Sequence, residues 1–212
     1  VRFEGRHEWS LVASLRELKV ALRNSRGRGD NECKVVVSAS LSGELKWNGA
    51  VVTSIWSEGA PGLIFGIPAN ARTVLCIDPS KQTATTFGNL PAADPVVGDV
   101  DDRWCGGVLT KGGKIIGIPF NATQFLEIDP EKRTVAPRGE TIFGRNKYRG
   151  AALCIYGRVY CVPCDASEVL CFNPKDGDWF TFGNLSALGG AKWSGGVSAE
   201  SISLLVFVEF KR

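Results

Sequence analysis

Apolar residues alternate with small and polar ones in short runs along this chain, and the runs return in a fixed order. In the middle of the sequence they are Gly106-Gly107-Val108-Leu109-Thr110, Lys114-Ile115-Ile116-Gly117-Ile118, Gln124-Phe125-Leu126-Glu127-Ile128, and a last run starting at Thr134-Val135. Each has the length of a β-strand and is bounded by turn formers. Lys111-Gly112-Gly113 reads as a hairpin turn. Pro119 stops the second run, because it has no N–H for a central ladder. Asp129-Pro130 opens a turn in which the Asp side chain bonds its own downstream backbone and Pro presets the next φ.

The same order recurs with a period of about 44 residues. An aromatic and small residues begin each unit: Trp47-Asn48-Gly49-Ala50, Trp104-Cys105-Gly106-Gly107, Tyr148-Arg149-Gly150-Ala151, and a further start at Trp193-Ser194-Gly195-Gly196. Ile67-Pro68, Ile118-Pro119 and Val162-Pro163 follow, and ten residues after each proline comes Asp78-Pro79, Asp129-Pro130 or Asn173-Pro174. A Phe-Gly pair closes each unit: Phe87-Gly88, Phe143-Gly144 and Phe182-Gly183. The first unit carries six extra residues around Ser57-Glu58-Gly59-Ala60-Pro61. One such unit cannot bury its own apolar faces, so neighbours must stack.

Four short antiparallel strands per period predict an all-β protein, a β-propeller. The blades fall at about 46–100, 101–145 and 146–190, and a partial fourth combines 191–212 with the strand 34–41. A solenoid would need fewer strands per shorter turn, and a sandwich would not hold register across three copies. Two arrangements stay open: a ring of four latched by strands from both termini, or part of a longer propeller. The order Gly-Gly, apolar strand, Gly-Lys, Ile-Ile-Gly-Ile, Leu-Glu-Ile-Asp-Pro resembles the kelch blade over roughly residues 46–200. This chain has Ile-Pro or Val-Pro where kelch has a double glycine, and of its last strands only Trp179 matches the kelch tryptophan. The Asp-Pro turn is also similar to lyase-type and NHL-type propeller blades. The kelch resemblance implies a protein-binding module, and lyase-type propellers imply histidine and carboxylates beside a metal.

Residues 1–33 differ from the repeats. Leu11, Leu15, Leu18 and Leu22 form one stripe of an amphipathic helix with Ser10 as its N-cap, packed on the propeller or on a partner. The net charge of +3 is concentrated there, with seven Arg/Lys against four acids in residues 1–30. The repeat body is neutral and carries no electrostatic footprint for nucleic acid. No apolar run is long enough for a spanning helix, and the first residues do not read as a signal peptide. Seven cysteines, an odd number in a chain of this size, point to free thiols in a reducing compartment such as the cytoplasm.

Candidate chemistry is sparse. His7 is the only histidine and lies before the repeats, so no Ser-His-Asp or Cys-His set spans the blades. Cys161-Val162-Pro163-Cys164 has CxxC spacing but lacks two further zinc ligands. Asp99-Val100-Asp101-Asp102, with Asp94 upstream, offers oxygens, yet no other unit repeats the cluster, and no metal or other cofactor is expected. Asn121-Ala122-Thr123 and Asn184-Leu185-Ser186 are sequons in form, but Asn70, Asn121 and Asp165 share a repeat position that suggests a turn role. Variation between units concentrates in loops. The expected function is therefore a protein-interaction scaffold, with Trp56, Glu58, Pro61, Asp99, Asp101 and Asp102 as candidate partner contacts. The alternative is a propeller enzyme with its site in the central channel. Self-association is open if the ring is incomplete.

Overall fold

The computed structural model describes residues 36–37, 45–53, 62–199 and 204–209. The first sheet is built from β1 (Val36–Val37), β2 (Trp47–Val52), β3 (Ile64–Pro68), β4 (Val74–Asp78) and β5 (Thr83–Phe87). The second holds β6 (Trp104–Leu109), β7 (Ile115–Pro119), β8 (Phe125–Asp129) and β9 (Thr134–Arg138). The third holds β10 (Tyr148–Leu153), β11 (Val159–Pro163), β12 (Val169–Phe172) and β13 (Trp179–Phe182). A pair follows, β14 (Trp193–Ala199) and β15 (Leu204–Glu209). The proposed helix at 10–24 lies outside the described residues. Among those described, the helical content is one 3₁₀ turn, Ser186–Leu188.

Each blade is an antiparallel meander with the same register. Trp47 faces Pro68, Trp104 faces Pro119 and Tyr148 faces Pro163, and a bulge follows before pairing resumes at Ala50, Gly107 and Ala151. The bulge needs a left-handed residue, which Gly49, Gly106 and Gly150 supply at φ 83°, 73° and 78°. The Asp-Pro turns close as their chemistry requires. Asp78 Oδ1 accepts the N–H groups of Ser80 and Lys81, and Asp129 Oδ1 those of Glu131 and Lys132.

Blades pack face to face. Phe65, Ile67 and Val74 of the first blade meet Ile115, Leu126 and Ile128 of the second. Ile116, Ile118 and Phe125 then leave the other side of the second blade to meet Val159, Leu170 and Phe172 of the third. This is why β7 reads Ile-Ile-Gly-Ile-Pro with every residue buried: both of its faces are interior. Phe125 stacks on Phe172 with ring centroids 4.0 Å apart.

Two expectations change. The segment at 34–41 was expected beside the partial fourth blade, but Val36–Val37 pairs in parallel with β5 on the outer edge of the first blade. The free outer edge of β5 accepts these β-branched residues. The closing Phe-Gly pair also fails in the middle unit. β9 ends at Arg138 and the turn glycine is Gly139 at φ 81°, matching Gly88 at 80° and Gly183 at 76°, while Phe143 stands 71% exposed in the link. Backbone geometry fixes the glycine there; no packing requirement fixes the phenylalanine before it.

Candidate binding face

At one end of the blades lie the turns from second to third strand and the links between blades. Each link is pinned to its turn by one apolar residue: Leu90 N–H donates to Arg72 O, Ile142 to Thr123 O, and Leu185 to Ser167 O, at 2.8, 2.7 and 2.7 Å. The last residue before each basic–aromatic pair takes positive φ, at Leu45, Asp102, Asn146 and Ala191. The shared Asn/Asp position holds it. Asn70 Oδ1 accepts Asp102 N–H, Asn121 Oδ1 accepts Asn146 N–H, and Asp165 Oδ1 accepts Ala191 N–H, at 2.6, 2.7 and 2.7 Å. The turn role of Asn121 is thus a clasp between blades. Its amide also donates to Asp101 O, and Thr123 is buried, which leaves that sequon no access for sugar.

Beneath this surface runs a row of basic residues that sequence reasoning missed: Lys46, Arg103, Lys147 and Lys192, each preceding the blade's first aromatic. Arg103 donates to Pro91 O and Ala71 O, both at 2.8 Å, and stacks over Trp104 at 4.9 Å. Lys147 Nζ donates to Phe120 O, Ala122 O and Gly144 O at 3.2, 2.9 and 2.9 Å. Lys192 Nζ donates to Gly189 O at 2.6 Å. These cations satisfy carbonyls that the link and turn would otherwise bury unpaired. Burial pulls the Lys147 ammonium down to about 8, against the opposing pull of the Asp94 charge. The signal was plain in the sequence, a basic residue before every repeat aromatic.

The acidic cluster separates into two roles. Asp94 is buried and inward: its carboxylate accepts Thr123 N–H and Oγ1–H and the N–H groups of Val96 and Val97. Burial works to raise its pKa, and these donors together outweigh that and hold it below the usual carboxylate range. Asp99 and Asp101 are exposed, and Asp102 is half-buried against Asn70. Among the described residues no group of three His, Cys, Asp or Glu is arranged to hold a metal ion. Trp56, Glu58 and Pro61 lie outside the described residues. The base of their insertion, where Thr53 N–H donates to Leu63 O at 2.9 Å, is at the hairpin end. The candidates from the insertion and from the link therefore belong to opposite ends of the blades, and the fold does not bring them together.

At the axis, the inner strands β2, β6, β10 and β14 lie side by side in chain order. A methyl group on Gly49 would stand 2.7 Å from Gly106 Cα, and one on Gly106 would stand 3.1 Å from Gly150 Cα. Backbone meets backbone there. Near the axis Cys105 packs with Phe120 and Cys164, and Arg149 lies over the Phe120 ring at 5.0 Å. Burial pushes the Cys105 thiol up to about 11, so it is not a thiolate nucleophile at neutral pH. The two cysteines of the CxxC sequence part ways: Cys161 is in the core between the second and third blades, and Cys164 is in this axial cluster. All six described cysteines are buried and free.

No family model matches the sequence, and no curated protein matches it. Solved structures do. The virginiamycin B lyase of Staphylococcus aureus is 15% identical with a TM-score of 0.56, over 76% of this chain and 47% of that one. A catalytically inactive histidine-to-alanine form of that lyase, with quinupristin, gives 15% and 0.56 over 77% of this chain and 49% of that one. An auxiliary nutrient binding protein from Bacteroides thetaiotaomicron gives 14% and 0.54 over 76% and 44%. The chain spans about half the length of the solved structures it matches. Nothing in these likenesses singles out kelch blades, so that finer resemblance reduces to the propeller. At such identities the likeness is one of fold: the chain is an array of β-propeller blades.

Proposed function

We propose that this chain is a non-catalytic propeller-type scaffold whose links between blades hold a protein partner. The observation that carries the reading is the axis, where glycine backbones meet and leave no set of convergent acids and bases. The exposed carboxylates instead sit on the link face, at Asp99 and Asp101. A rigid clasped base beneath variable links is the usual setting for recognition. The partner surface that suits them is basic, because exposed carboxylates steer and orient a complementary charge.

The fold likeness to a lyase favours the alternative, a propeller enzyme. Against it, that lyase is inactive once a histidine is replaced, and this chain has one histidine, His7, ahead of the repeats. The test is affinity capture of partners from the native source by the 212-residue chain, beside variants at each end of the blades. Asp99→Ala with Asp101→Ala should lose the partner, and Trp56→Ala probes the hairpin end. Quinupristin should pass unchanged. Its turnover by the native chain, surviving the link variant, would establish the enzyme reading instead.

A further inference from the structure

Every blade of this chain has a leading face that receives the blade before it and a trailing face that receives the blade after it. The leading positions are Leu109, Ile115 and Ile128 in the second blade, and Leu153, Val159 and Phe172 in the third. By repeat position these are Val52, Ile64 and Ile77 in the first blade. Val52 is 46% exposed there, and Ile64 and Ile77 are half-buried. The last full blade shows the converse. Its trailing row runs through Tyr160, Cys171 and Phe180, which pair across β11, β12 and β13, with Phe182 beside it. Tyr160 and Phe180 each lie 6.2 Å, ring to ring, from Phe182, yet Phe180 and Phe182 remain 49% and 42% exposed. Among the described residues β15 pairs only with β14, so the fourth blade offers an open sheet edge next to these rings.

The axis is open at the same place. Gly49, Gly106 and Gly150 would each bring a methyl group within 4 Å of the next inner strand, but one on Gly195 meets nothing within 4 Å. A closed ring of four would set Gly195 against Gly49. The blades therefore form an arc with a leading face free at one end and a trailing face free at the other. These two faces are unlike and mutually complementary, since each internal junction joins that same pair. Such a heterologous contact closes into a ring when the rotation allows. The rotation is suited to two copies, because this arc superposes on slightly less than half of the matching solved chains.

We propose that two copies of this chain associate head to tail, the trailing side of the third and fourth blades of each meeting the first blade of the other. The interface is self-association and does not depend on the link-face function proposed above; loss of the partner and loss of the assembly would be separate results.

Light scattering on the purified 212-residue chain tests it. One copy weighs 22.8 kDa, and the expected species has twice that mass. Phe182→Asp removes the tail contact and Val52→Asp the head contact, so each variant alone should run as one copy. Mixed together, the intact head of one and the intact tail of the other should restore the two-copy mass. That rescue also shows that both variants are folded. For variants that keep the β circular-dichroism signal, failure of the mixture to associate overturns the proposal. A native chain that stays at one copy at every concentration, or that grows into an unbounded series, overturns it as well.

Discussion

Lys147 shows how much of this architecture rests on single side chains. Its ammonium serves three carbonyls from one blade and the following link. Lys147→Met keeps the stem and strands those acceptors, which should cost about 2–4 kcal/mol in denaturant unfolding. The pH dependence has a definite sign. The folded pKa, about 8, lies below the ordinary 10.5, so the unfolded state holds more protons between those values. Stability from this group therefore rises with pH from about 8 to 10.5 and is at its constant minimum below. Buried thiols such as Cys105 pull the opposite way, so the quantity to measure is the difference between the native chain and Lys147→Met. That difference should widen with alkaline pH, and a flat difference would show that Lys147 is not held at a lowered pKa. Trp104 is the second test at this scale. It is 5% exposed and donates Nε1–H to Gln124 O at 2.8 Å, as Trp47 does to Thr73 O. Trp104→Ala should cost on the order of 3–5 kcal/mol. The burial of Trp104 and Tyr148 was legible from the repeat; the weaker burial of Trp47 and Trp193 follows from their place in the end blades.

At the scale of the element, the inner strand is where sequence and geometry agree most closely. The repeated glycine after each aromatic marks the bulge and the closest approach of neighbouring strands. The approach loosens along the chain, and this gives an ordered prediction for alanine. Gly49→Ala should be the most damaging, because its methyl would sit 2.7 Å from a backbone atom that has little room to move. Gly106→Ala follows at 3.1 Å, and Gly150→Ala at 3.7 Å bears mainly the left-handed strain, on the order of 1–3 kcal/mol. Gly195→Ala should be tolerated. Thermal unfolding of the four variants checks the order, and equal losses would mean the axis is not packed as described. Strands and turns were legible because alternation, Pro and Asp-Pro have direct backbone consequences. The closing Phe-Gly of the middle unit misled, because a dipeptide can recur by chance where only the glycine's φ is required. The buried cations were passed over because basic residues usually mark solvated surface, and here their targets are carbonyls distant in sequence.

For the whole molecule, the repeat alone implied the propeller, and the solved structures agree on fold at 13–15% identity in the three best superpositions. The placement of loops at opposite ends was not read from the sequence, since it requires knowing which way each strand runs. Once the strands are laid out, Asp99 and Asp101 fall on the face that carries the links, and the insertion at 54–61 starts from the other end. Function then turns on whether a partner engages that link face. Hydrogen–deuterium exchange of the chain with and without its captured partner measures this directly. The account predicts new protection in the link at 95–103 and in the neighbouring turn at 120–124, with the inner strands unchanged. Protection confined to the axial strands β6 and β10, with the link still exchanging freely, would contradict it.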